Sequence, residues 1–378
     1  MDVRYGTVFG GALTEGLAVA DLQGLSERDS AAVLLDFLRA VAAGPGAAAP
    51  ETLDACLRAR FGGAASAYLN AMAAKVYASD IRHLDACVME FGLFRRARLL
   101  PDPLAAILKK IPEIDARLAM SSAAIPQALY PNASPDIGRN FYPSDDGMRG
   151  FVRGVIDTLQ KRGGRLLADA GEIHVRLVDG NIALQSQAIG TIKGDLVFST
   201  LAPDALEEMV LGTARLRGLI RPVPMVLFYF KAKVADMTGM SYVHLFDADC
   251  VSFRISAAGH YGAQTDDGGQ TYVCVECPTK IATALWDDPD AHIETIWGEV
   301  LMAGIVRPGA RPTAARVVKT PKSYSAPLAG YASAEATVFK ELAEVAGPLV
   351  NMSSLAFSKL TIIDEIMTRL TRLMDDLR

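Results

Sequence analysis

Apolar positions recur along this chain with two periods, and the change falls near Tyr142. Before it, the spacing is helical. Ser26 is placed to cap a helix, with Asp29 in the first turn and Val33, Leu34, Phe37, Leu38 and Val41 on one face. The stretch GPGAAAP at 44–50 breaks that helix, and Pro50-Glu51 suits a new start at ETLDACLRARFGG. Further helical runs are predicted over about 63–77 and about 80–97, then a short one in LLPDPLAAILKKIPEI bounded by Pro103 and Pro112. Residues 1–25, rich in glycine, are expected to be irregular.

Beyond Tyr142 a helix over 147–162 is predicted to end at Gly163-Gly164, with Asp145-Asp146 as its cap. Period-two segments follow: RLLA, IHVRLV, IALQSQAI and DLVFST, with Asp179-Gly180 as a turn. VPMVLFYFKAKV, YVHLFD, CVSFRISA and QTYVCVECP then read as an antiparallel sheet, followed by a helix near 288–304. The closing segment TIIDEIMTRLTRLMDDLR aligns Ile363, Ile366, Met367, Leu370, Leu373, Met374 and Leu377 on one face. The expected class is mixed α/β. Residues 1–140 would form a mainly helical part, 141–210 a partial nucleotide-binding-type sheet, 211–335 an antiparallel sheet and 336–378 a helical return.

Composition narrows the function classes. Of 378 residues, 51% are hydrophobic and 21% charged, enough for a large core, and the net charge of −5 carries no basic stripe suited to nucleic acid. No uninterrupted apolar run reaches the roughly 18–20 residues of a membrane span, and MDVRYGTVFGG lacks a signal pattern. Five scattered cysteines argue for a reducing, cytoplasmic setting. Cys274 and Cys277 form a CxxC, but in a strand residues three apart face opposite sides, so core packing is expected rather than a metal site.

Four segments in order resemble the flavin-dependent amine oxidase superfamily, in its protoporphyrinogen-oxidase and UDP-galactopyranose-mutase-like branches. ETLDACLRARFG with Lys75-Val76-Tyr77 resembles a helical "RFG … K-x-W/Y" pattern, and FYPSDDGMRGFVRGVIDTLQKRGGRLL resembles the "YP-GGM" turn, helix and strand. GDLVFSTLAPDAL resembles the segment returning to the flavin domain, while VSFRIS, YVCVEC and KTPKSYSAPLAGY follow the mutase-like order. The resemblance implies a remnant of a two-domain flavin-oxidoreductase fold, with a helical lid and an antiparallel substrate-domain sheet. It departs at both ends. The family's opening GxGxxG turn has no counterpart, Gly10-Gly11 reading as a turn, and Gly347-Pro348 stands where a flavin-contacting segment is expected.

Candidate chemistry follows from both readings. His244, Tyr242 and Tyr272 stand on adjacent strand candidates that could face one pocket, His244 as acid or base or as a packed core residue, and His260 lies in a loop candidate. Arg254 would need a charged partner, either Glu276 or a ligand phosphate or carboxylate. The resemblance implies ligand contact for Arg254, Tyr324, Tyr331 and Lys75. The chain is thus expected to act on or bind a small polar metabolite, as a biosynthetic enzyme or a subunit, without binding FAD autonomously. The alternatives are an FAD enzyme completed by a partner chain and a scaffold whose open sheet edge is its interface. A homo-oligomer or partner subunit would cover that edge.

Overall fold

The computed structural model describes residues 3–44, 49–121, 146–178, 181–261, 268–347 and 349–351, with helical residues 367–368, 370–372 and 374–375. Tyr142, Asp145, Asp179-Gly180, Pro348 and most of the closing segment lie outside the described residues.

The chain opens with strands rather than irregular structure, which corrects the expectation for residues 1–25. β1 (Arg4–Phe9) and β2 (Ala12–Glu15) form a hairpin around Gly10-Gly11. Both glycines have positive φ, 61° and 71°, as a type I′ turn requires. β3 (Ala20–Asp21) follows and pairs in parallel with β4 (Ala97–Arg98).

The helical part is built on α1 (Glu27–Ala43) and α2 (Leu53–Tyr77). The Ser26 hydroxyl accepts the Asp29 N–H at 3.2 Å, so the expected cap is formed. Gly62, at φ 83°, kinks α2 and divides it where the sequence suggested two helices. The expected helix over about 80–97 is replaced by 3-10 turns at Ile81–His83 and Ala86–Phe91. Asp80 and Asp85 each cap a new turn, and Gly92 ends the second in a left-handed conformation, so no long helix propagates. α3 (Asp102–Leu108) and α4 (Pro112–Asp115) complete this part. Its core runs from Val33 and Phe37 through Leu57, Phe61 and Leu69 to Phe94.

Among the described residues the principal sheet joins β1 and β2 to β9 (Ile220–Lys233), β10 (Met240–Leu245), β11 (Arg254–Ala257), β12 (Gln270–Pro278) and β13 (Ala314–Pro327). The order is β13-β9-β12-β11-β10-β1-β2. The sheet is mixed rather than antiparallel throughout, because β1 runs parallel to β10. One face is apolar: Val243, Ile255, Val275 and Phe228 pack with Ile296, Trp297 and Val300. Those three belong to a helix over Ile293–Met302. Burial alternates along β12, which puts Cys274 and Cys277 on opposite faces as expected. Among the described residues no cluster suited to a metal ion occurs, and no helix is long and apolar enough to cross a membrane.

The remaining part is thinner. α5 (Gly147–Lys161) ends at Gly163 as expected, but Asp146 makes no side-chain cap bond and instead pairs with Arg153 at 2.8 Å. RLLA is not a strand. β5 (His174–Val178), β6 (Asn181–Ser186) and β7 (Gly190–Gly194) form an antiparallel sheet. β8 (Val197–Ser199) pairs in parallel with β14 (Leu349–Asn351). α6 (Pro203–Leu211) packs on the helix Tyr331–Val345 through Leu206, Tyr331, Val338 and Leu342. α5 buries none of its residues, and Met148, Phe151, Val152, Val155 and Leu159 are each 44–56% exposed along one side.

Candidate functional site

The second face of the principal sheet is polar and aromatic, and the strand register defines its rows. In one row Thr7, His244, Arg254, Glu276 and Leu227 follow one another across β1, β10, β11, β12 and β9. In the next, Tyr5, Tyr242, Ser256, Cys274, Tyr229 and Arg316 do the same. Side chains two residues apart along a strand share a face, so the two rows form one continuous surface.

Arg254 is the charged centre. Its Nε donates to Glu276 Oε1 at 2.9 Å and its Nη2 donates to the same oxygen, while the side chain remains 44% exposed. Of the partners the sequence left open for Arg254, Glu276 is the one present, and the side chain keeps part of its surface open to solvent. His244 beside it is only 7% exposed. Its ring stacks on Phe253 at 5.1 Å and meets Tyr242 edge-on at 5.5 Å. Burial, and then the neighbouring Arg254 charge, hold its pKa down to about 3, so the imidazole is neutral at pH 7. His244 Nδ1 has no hydrogen-bond partner among the described residues. The site can therefore offer a cationic fork, a neutral imidazole and the stacked Tyr5–Tyr242 pair, with ring centroids 5.4 Å apart.

α2 closes one end of this face. Lys75 Nζ donates to the main-chain oxygens of Leu245 at 3.0 Å and Asp247 at 2.8 Å, which ties the helix end to the end of β10; burial lowers its pKa. The Tyr324 hydroxyl donates to the Val76 carbonyl, and burial pushes its pKa upward, with the Glu276 charge adding to the rise. Asp247 also holds the first hairpin, its carboxylate accepting the N–H groups of Gly10 at 2.6 Å and Gly11 at 2.9 Å.

The other sequence candidates disperse. Tyr272 is on the same face, packed on Tyr229 at 6.2 Å. With Lys231, Gln270 and Arg316 these rings line a depression of about 390 Å³. His260 is in the 3-10 turn that follows β11, past the opposite end of that strand from Arg254. Tyr331 is fully buried in the core under α6 and donates to Glu335 at 2.8 Å. The sequence reading missed Tyr5, Cys274 and Tyr229 as members of the surface. Tyr5 was legible in principle, since RYGTVF alternates and carries aromatic and β-branched residues.

The helical layer, the mixed sheet with one polar face and the small parallel pair make a fold that solved flavin-enzyme structures share. A reduced UDP-galactopyranose mutase superposes with a TM-score of 0.66 at 13% identity, covering 98% of this chain and 77% of that one. A protoporphyrinogen oxidase-type protein from an Exiguobacterium species gives 0.59 at 13% identity, over 99% and 80%. A putrescine oxidase variant redesigned in its cofactor binding gives 0.53 at 10% identity, over 98% and 82%. No protein-family model and no curated protein sequence matches the chain.

Proposed function

We propose that the chain binds and acts on a small polar metabolite over the polar face of the principal sheet, without holding FAD on its own. The row His244–Arg254–Glu276 carries this reading. A guanidinium fixed by a carboxylate and partly open to solvent is pre-organised to receive a ligand carboxylate or phosphate. Tyr5 and Tyr242 supply an apolar wall beside it. The neutral imidazole of His244, with Nδ1 unpartnered among the described residues, can accept a hydrogen bond there, an interaction that needs no redox group. The Gly10-Gly11 turn supports the second half of the reading. Its N–H groups are committed to Asp247, so they do not form a free cradle for a pyrophosphate. A biosynthetic role in the cytoplasm is in keeping with five free cysteines.

The test is the visible spectrum of the purified protein, with a titration of added FAD. No flavin band and no saturable FAD binding are expected, and a stoichiometric yellow protein overturns the proposal. A thermal-shift screen of small carboxylates and phosphates checks the first half. A stabilising ligand whose effect is lost in Arg254→Gln is expected, and no Arg254-dependent response sinks it.

One observation favours a second reading, a flavin enzyme completed by a partner chain. Parallel strands are normally buried between helices in larger sheets, yet among the described residues β8 and β14 form a sheet of two, with Phe198 exposed and the apolar side of α5 bare. A β-α-β unit from the partner would extend that sheet and cover that side. FAD absorbance that appears only on co-expression with a neighbouring gene product supports this reading.

A further inference from the structure

Three neighbouring strands build the depression beside Tyr229 and Tyr272, at the far side of the polar face from His244. β9 contributes Tyr229 and Lys231, two residues apart and so on one face. Across one ladder Lys231 stands opposite Tyr272 of β12. Across the other, Tyr229 stands opposite Arg316 and Lys231 opposite Ala314, both of β13. These residues line one cavity of about 390 Å³, within the ~300–1,000 Å³ of small-molecule sites. Ala314 brings only a methyl group to a face where its neighbours bring long side chains, which leaves the room.

The wall and the charge of the cavity suit one kind of ligand. Tyr272 and Tyr229 meet with ring centroids 6.2 Å apart and planes tilted by 56°, and Tyr272 stays 43% exposed. Its ring therefore still offers contact area to a third ring. Arg316 is exposed and, among the described residues, makes no ion pair with a carboxylate. Lys231 adds a second positive charge, and no Asp or Glu is among the described residues that line the cavity. In a chain of net charge −5 that local balance favours an anion. Thr313 fixes the rim: its N–H donates to the Lys231 carbonyl at 2.8 Å and its hydroxyl to Gln270 Oε1 at 2.5 Å.

We propose that this depression binds a small aromatic carboxylate, with its ring against Tyr272 and its carboxylate held by the Arg316 guanidinium. A planar fork of N–H donors matches a carboxylate through two parallel hydrogen bonds, and a flat ring matches the aromatic wall. The site is distinct from the one around Arg254. Arg254 and Tyr229 lie two strands and two residues apart, roughly 12 Å at ~4.8 Å per strand and ~3.3 Å per residue.

Isothermal titration with 2-naphthoate tests the assignment, with cyclohexanecarboxylate and 2-naphthol as probes that lack the aromatic ring and the charge. Saturable binding of 2-naphthoate is expected, about tenfold tighter than that of either control. Arg316→Gln and Tyr272→Leu should each weaken it by about tenfold, and Ala314→Phe, which fills the hollow, should abolish it. All three positions are exposed, so circular dichroism should match that of the parent protein. Arg316→Gln decides if either of the other variants fails to fold. Arg254→Gln should leave 2-naphthoate binding intact, so this site and the one proposed for the polar metabolite stand or fall separately. No saturable binding, or binding that survives Arg316→Gln, overturns the proposal. Loss in Arg254→Gln also overturns it, by placing the carboxylate at the other site. Equal affinity for cyclohexanecarboxylate overturns the aromatic assignment.

Discussion

Arg254 stands directly across the β10–β11 ladder from His244, so a fixed positive charge faces a buried imidazole. The charge adds to the cost of burial and keeps the ring neutral far below the usual histidine range.

A pH dependence of stability follows. Below about pH 6.5 the unfolded chain binds a proton that the folded chain refuses until about pH 3. This contribution to stability is therefore complete above pH 6.5 and is lost as pH falls, by up to about 1.4 kcal/mol per unit. Urea denaturation at pH 7.5 and pH 5.0 should show a gap that His244→Phe narrows by about 2 kcal/mol. An unchanged gap would mean the imidazole is not buried as described.

The hairpin and α2 depend on Asp247. Asp247→Ala leaves the Gly10 and Gly11 N–H groups without their acceptor and should cost about 1–2 kcal/mol. Asp247→Asn retains one oxygen and should cost less. Chemical denaturation of the two variants gives the ranking.

Gly62 should tolerate nothing larger. A Cβ there would stand 2.7 Å from the main chain of Asp36, at a φ of 83° that side chains rarely adopt. Gly62→Ala is expected to lose at least about 3 kcal/mol, with clash and strain adding. Gly63→Ala, whose Cβ would have only the Asp36 carboxylate at 3.6 Å, is the control and should lose well under that. Equal effects would remove the argument for the kink.

The bare side of α5 separates the two functional readings. Phe151→Glu and Val155→Glu remove no buried contact within the chain, so its own stability should change by less than about 0.5 kcal/mol. If a partner completes the β8–β14 sheet, the same variants should abolish co-purification with it and the accompanying flavin colour. Retention of both would place the partner elsewhere.

Strong local signals were legible in the sequence and long-range ones were not. Ser26, the Gly163 stop and the alternation in QTYVCVECP each act within a few residues, and each element formed where expected. The Arg254–Glu276 pair was legible because both residues sit in unambiguous strands. RLLA failed as a strand because a strand needs a neighbour: β8 finds one in β14, whereas Leu166 and Leu167 stay exposed. Residues 80–97 failed as a helix because two aspartates restart the chain within six residues. Tyr5 escaped because the glycines around it hid a strand whose partner lies in the middle of the chain.

That partnership sets the timing of folding. Gly10 and Asp247 meet although 237 residues separate them, and β1 has no parallel neighbour until β10 exists. On a ribosome adding about 5–20 residues per second, the first hairpin therefore waits roughly 12–50 s before its sheet edge can form. For that interval β1 is paired on one side only, by β2, and its other edge stays open. Chaperone dependence, and loss of yield when translation is slowed between the codons for β2 and β10, are the cellular costs of joining the first strand to the middle of the chain.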